Sequence, residues 1–222
     1  MQDTLQEFEN VILEASENGG NILIPSFAVG RTQEIIFRLG ELYQQGKLHQ
    51  QAIFLDSPMA IAVTEIYHRY QNIYNAEDKA ADESMALNKV ERGAIIIAGS
   101  GMCNGGRIRH HLKHNLWRKQ SHVIFVGFQA MGTPGRALVD GARYFKIAGE
   151  EVIVKAAIHT LGGFSAHASQ TQLIEWLGHF EGEKPRLFLV HGEENAKQAL
   201  ATVATTHGWR PHIARLGEKV KF

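Results

Sequence analysis

Four short apolar runs with no polar alternation, residues 21–25, 52–56, 94–98 and 122–126, constrain this chain more than any other feature. A strand that alternates polar and apolar residues is half-buried, whereas an unbroken run such as Ile95-Ile96-Ile97 is buried on both faces. Longer stretches with helical spacing lie between the runs. Leu5, Phe8, Val11 and Ile12 recur at helical intervals until Gly19-Gly20 stops them, and Ile35, Ile36, Leu39 and Leu42 repeat the pattern. Pro58 opens a third helix at its first turn, and a fourth runs through His110 and Leu116. Buried strands alternating with helices predict a parallel sheet covered on both sides, a Rossmann-like α/β layer.

After about Gly141 the pattern changes. Residues 143–147 and 151–159 read as neighbouring strands joined through Ala148-Gly149-Glu150, a hairpin signal. A loop over residues 161–168 follows, then a helix carrying Leu173, Trp176 and Leu177. A strand over 186–190, a helix over 193–206 and a short strand over 212–214 complete the chain. The polar, alanine-rich residues 75–83 read as a solvated surface loop. With 222 residues and 44% hydrophobic composition, the chain can bury a core in one or two domains.

Lys+Arg and Asp+Glu each total 23, so no overall basic field announces a nucleic-acid partner, although a local basic groove stays open. No 18-residue apolar run and no charged-then-apolar leader is present, so neither a membrane span nor a signal peptide is expected. Cys103 is the single cysteine and cannot form an internal disulfide, which fits a reducing cytoplasm.

Chemistry concentrates in a few places. His167, in Gly163-Phe164-Ser165-Ala166-His167-Ala168, and His191, in Leu189-Val190-His191-Gly192-Glu193, each follow an apolar strand. There an imidazole can bind zinc, exchange a proton, or serve as a structural hydrogen-bonder. The glycine-rich residues 99–106 follow a strand and open a helix, where backbone amides and the helix dipole suit a phosphate. The same glycines also suit a tight turn, and their spacing is not that of a dinucleotide fingerprint. Arg31, Arg109 and Lys113 are candidates for the same groove, Lys113 reading better as a solvated charge. Phe128 is either a base-stacking ring or core, and Asp56 is expected to cap or order the Ser57-Pro58 turn rather than bind metal.

The wording around these residues adds a resemblance. Residues 21–31 (Asn-Ile-Leu-Ile-Pro-Ser-Phe-Ala-Val-Gly-Arg), Asp56-Ser57-Pro58-Met59-Ala60, Gly99-Ser100-Gly101-Met102, Gly105-Gly106-Arg107, Gly127-Phe128-Gln129-Ala130 and the two histidine motifs occur in one order. In that order they resemble the β-CASP nucleases of the metallo-β-lactamase superfamily. The resemblance implies a β-CASP domain over residues 1–158 and, over 159–222, the C-terminal part of a metallo-β-lactamase αββα sandwich. It implies a zinc-dependent RNA phosphodiesterase with two metal ions in the complete enzyme. His191 would be a zinc ligand and His167 the catalytic group assisting the leaving oxygen. Arg31, Ser100, Gly101, Gly105, Gly106 and Arg107 would contact RNA.

The family's His-x-His-x-Asp-His metal motif stands nowhere in this sequence. With one expected ligand, zinc should be absent or weakly held, and the chain by itself should not cleave RNA. A non-catalytic RNA-binding or assembly module of the same fold is the alternative, and a Rossmann-type nucleotide binder a more distant one. The sandwich remnant should expose an uncovered face, open to homodimerisation or another association.

Overall fold

The computed structural model describes residues 2–48, 52–69, 93–162 and 167–221. Residues 75–83 and 163–166 fall outside them. The chain divides into two compact units, Met1–Ser165 and Ala166–Phe222. In chain order the first unit carries α1 (Gln2–Glu17), β1 (Ile22–Pro25), α2 (Arg31–Gln44), β2 (Ala52–Asp56), α3 (Pro58–Arg69) and β3 (Ala94–Ala98). Then come α4 (Ile108–Asn115), β4 (His122–Phe125), α5 (Pro134–Val139), β5 (Tyr144–Ile147), β6 (Glu150–Ile153) and β7 (Ala157–Thr160). The second unit carries α6 (Gln170–Gly178), β8 (Leu187–Leu189), α7 (Glu194–Thr206) and β9 (Pro211–Ile213).

The four apolar runs became four neighbouring strands. They form one sheet in the order β2-β3-β1-β4-β7, every adjacent pair parallel. Successive side chains of a strand point to opposite faces, and two cores result. Ile22, Ile24, Ile95, Ile97 and Ile124 pack with Phe8 and Ile12 of α1 and with Ile35 and Leu39 of α2. Leu23, Ala98, Val123 and Phe125 pack on the other face with Ile108 and Leu112 of α4, Leu138 of α5, and Phe145 and Ile147.

From β1 the chain moves outward to β2, returns to β3, and then crosses to β4 on the far side of β1. The strand order therefore reverses at β1, with α2 and α4 on opposite faces. Such a switch point parts the connecting loops at the carboxyl ends of the strands, the usual ligand crevice of an open parallel sheet.

The second expected hairpin strand, residues 151–159, is two strands. β6 pairs antiparallel with β5 (Ile147↔Glu150), through the two-residue turn Ala148 (φ 50) and Gly149 (φ 87), both left-handed as a tight hairpin requires. At Lys155 and Ala156 the backbone leaves the hairpin, and both amides donate to the Leu116 carbonyl. β7 then joins the parallel sheet beside β4 (Val123↔Ile158), so residue 158 lies inside an edge strand of the first sheet.

In the second unit β8 and β9 are parallel, and Leu177, Ala204 and Trp209 form a small core. Trp176 and Val190 stay exposed. Among the described residues no helix is long and apolar enough to cross a membrane.

Gly20, which leads into β1, is held against another backbone: a Cβ there would lie 1.6 Å from the Gln120 carbonyl oxygen. Gly20→Ala is expected to cost about 3 kcal/mol or more, because the clash is with main chain that has no rotamer to change. At Gly19 (φ 66, no atom within 4 Å of a Cβ) alanine meets only the left-handed strain, about 1–2 kcal/mol. Urea unfolding of the two variants checks the ranking.

His122 Nδ1 and His159 Nε2 are 2.9 Å apart, one ring donating to the other, with the rings stacked at 11°. Burial lowers both pKa values from 6.5, the nearby His159 lowers that of His122 further, and Glu14 opposes the shift in each. The fold therefore favours neutral rings, while the unfolded chain takes up protons near 6.5. Their stabilising contribution is full above that value and is lost as the pH falls through it. The thermal unfolding midpoint should drop as the pH falls below 6.5, and drop less in His159→Gln.

Candidate functional site

β3 ends at Ala98, and residues 99–107 carry the chain from the sheet into α4 at the switch point. The loop's carbonyls are tied inward. Gly99 O accepts from Ile108 N (3.0 Å), Gly101 O from Gln129 Nε2 (3.1 Å) and Met102 O from Gly135 N (3.0 Å). The backbone amides of Gly101, Gly105, Gly106 and Arg107 donate to no partner among the described residues. A loop that turns its acceptors in and keeps donors over is suited to an anion.

One of its glycines is sterically required: a Cβ at Gly106 (φ 71) would lie 2.3 Å from the main-chain Gly99 O, whereas one at Gly101 would lie 2.7 Å from the ring of Phe27, an exposed side chain that can turn aside. At Gly105 nothing stands within 4 Å, so close packing does not select glycine there. Ser100 Oγ is buried and, among the described residues, without a partner. Cys103 is buried beneath the loop, and burial pushes its thiol up to about 12 against the opposing pull of Arg109. It is protonated at neutral pH and is no nucleophile.

Asp56 is not the cap of the turn that follows it. Ser57 Oγ takes that role by accepting from Ala60 N (3.3 Å). The Asp56 carboxylate, 3% exposed, instead accepts from Arg107 Nη1 (2.5 Å) and from His111 Nε2 (2.6 Å). The reason is position: Asp56 ends β2 while Arg107 and His111 lie one turn apart at the start of α4, with Asn115 one turn further. The polar stripe continues inward. Asn115 Nδ2 donates to His111 O, Asn21 Nδ2 to Asn115 Oδ1, and Ala94 N to Asn21 Oδ1. Burial lowers the His111 pKa against the opposing influence of Asp56, so the ring is neutral with its Nε2–H on the carboxylate. Among the described residues His111 Nδ1 then has no partner.

The other sequence candidates divide. Arg31 opens α2 and its Nη1 donates to Glu34 Oε2 (2.7 Å), with the side chain 16% exposed. Arg109 donates to the Cys103 and Lys146 carbonyls, and Lys113 pairs with Glu150 (2.7 Å). Arg107 keeps a half-exposed guanidinium whose single partner among the described residues is Asp56. Phe128, after β4, is 62% exposed and so is not core, and Phe27, after β1, is 52% exposed. Both follow strands that flank the reversal.

The histidines lie in the second unit. His191 follows β8, exposed, with Gly192 (φ 124) and the α7 N-cap Glu193 after it. His167 is exposed and precedes Ser169, which caps α6 by accepting from Gln172 N. Among the described residues no three His, Cys, Asp or Glu side chains gather as a metal site would need. Zinc takes three or four protein donors, so the described residues do not by themselves make up a zinc centre.

Residues 32–138 match the family model of the Beta-Casp domain, and residues 151–214 that of the Zn-dependent metallo-hydrolase RNA specificity domain. A ribonuclease of Thermus thermophilus is 39% identical over 99% of this chain. The chain belongs to the β-CASP family of metallo-β-lactamase-fold nucleases. That ribonuclease is covered over 54% of its own length. An RNase J-like protein of Methanocaldococcus jannaschii is 33% identical over 82% of this chain and 45% of its own. The transcription termination factor FttA of the same organism is 29% identical over 87% and 34%. The chain thus spans between about a third and about half of these β-CASP relatives. The loop at 99–107 falls in the Beta-Casp match, and His167 and His191 fall in the RNA specificity match.

Sequence reasoning missed His111, Asn115 and the second role of Asp56. A signal was available: Arg107, His111 and Asn115 at intervals of four mark a polar stripe on a helix whose Ile108 and Leu112 are buried.

Proposed function

We propose that this chain is the RNA-gripping part of a zinc-dependent RNA phosphodiesterase. The observation that carries the reading is the loop at 99–107, with carbonyls bonded inward and the Gly101, Gly105, Gly106 and Arg107 amides left as donors at the switch point. A phosphate oxygen carries negative charge and accepts only, so backbone amides and a guanidinium complement it without reading the base. Arg107 and the loop amides hold the backbone in this reading, Arg31 adds positive charge, and the exposed Phe27 and Phe128 offer rings to unstacked bases. The ribonuclease and RNase J-like names of the relatives support RNA as the ligand.

In the same reading His191 supplies one donor to the metal centre of the longer protein, and His167 gives the proton the leaving oxygen needs. Neither role makes the chain a nuclease alone. Incubated with labelled single-stranded RNA and added zinc, the chain should bind and leave the RNA intact. Metal-dependent cleavage abolished by chelator would overturn the division of labour, and absence of binding would overturn the grip.

A further inference from the structure

Asp56 poses a physical question: why should a carboxylate sit beside the loop's own arginine, which is expected to meet a phosphate? It cancels part of Arg107's field, which weakens attraction for an anion. It is also buried and bonded to the His111 ring, and the Asn115–Asn21–Ala94 hydrogen bonds reach the His111 main-chain carbonyl, so the carboxylate has a fixed partner on α4 besides Arg107. Arg107 is half-exposed and, among the described residues, bonded only to that carboxylate through Nη1. An arginine held at one edge of its planar fork presents its remaining N–H groups in one direction. A freely rotating side chain would surrender that freedom on binding.

We propose that Asp56, itself set by His111, is a positioning residue that aims the Arg107 guanidinium at a backbone phosphate of bound RNA. The inference rests on the reading of residues 99–107 as an RNA grip and adds what orients it. It makes a prediction opposite in sign to simple electrostatics. Removing a negative charge beside a phosphate site should tighten binding if Asp56 only subtracts field, and should weaken binding if Asp56 aims the arginine.

The test titrates the whole chain with a fluorescently labelled oligoadenylate RNA at several salt concentrations, each variant first shown to unfold cooperatively. Arg107→Ala should weaken binding about tenfold, the scale of one charge-assisted contact, and reduce the salt slope by about 0.7. Asp56→Asn should weaken binding comparably, and the double variant should bind no worse than Arg107→Ala. Tighter or unchanged binding by Asp56→Asn, with Arg107→Ala impaired, would overturn the positioning role and leave the grip standing. Unchanged binding by Arg107→Ala would overturn the grip itself. Should Asp56→Asn not fold, Arg107→Lys carries the test, since a point charge cannot span carboxylate and phosphate through one rigid fork. Lysine is expected to bind as weakly as alanine, and full affinity with lysine would overturn the inference.

Discussion

Gly106→Ala should weaken RNA binding by this chain at least about tenfold while the five-stranded sheet stays folded. The glycine holds φ 71, and a Cβ would lie 2.3 Å from Gly99 O, 2.7 Å from Gly99 C and 3.0 Å from Ser100 N. An alanine adds left-handed strain of about 1–2 kcal/mol, and all three of those atoms are main chain. The relief available is to move one side of the loop. That breaks the Ile108 N to Gly99 O bond closing the loop onto α4 and displaces Arg107, the next residue. The two cores lie on opposite faces of the sheet, and the strands between them need not follow. Gly105→Ala is the matched control, one position away with no atom within 4 Å of a Cβ. Circular dichroism should show both variants folded, and fluorescence titration should separate them.

The other large effect belongs to the longer protein of which this chain matches a part. If His167 protonates the leaving oxygen, His167→Ala should slow RNA cleavage by about 10²–10⁴-fold with metal content unchanged. If His191 is a metal donor, His191→Ala should lower zinc content and cleavage together, because the site loses one of only a few donors. Metal analysis beside single-turnover cleavage reads both at once. Equal metal loss in the two variants would contradict the assigned roles. The structure gives each residue an exposed position, His191 past the end of β8 and His167 ahead of α6.

The parallel sheet was legible because Ile22–Pro25, Ala52–Asp56, Ala94–Ala98 and His122–Phe125 are apolar on both faces, and only two covered faces satisfy that pattern. The break between β6 and β7 was not, because Val152, Ile153 and Val154 before it and Ile158 and Thr160 after it all favour strand. What ends the hairpin at Ile153 is a tertiary event, the Leu116 carbonyl taking the Lys155 and Ala156 amides. The loop at 99–107 was recognisable from its glycines, yet which of them are obligatory was not. Gly106 is fixed by the main chain of Gly99, while Gly101 abuts only the exposed ring of Phe27. Asp56 looked like a turn cap since it precedes Ser57-Pro58, and local sequence favours local partners. Its real partners are 51 and 55 residues away. Phe128 is exposed although an aromatic beside a strand usually packs inside, because β4 ends at Phe125 and the chain has already left the sheet.

In the proposed reading the carboxyl end of the switch point holds an RNA backbone. An amide-resolved NMR titration of the chain with unlabelled oligoadenylate RNA tests it most directly. The account predicts that the largest shifts fall on the amides of residues 99–107, with smaller ones at Phe27 and Phe128, and that they fade as salt rises. Largest shifts at the opposite end of the sheet, around His122, Lys155 and Ala157, with residues 99–107 unmoved, would contradict it.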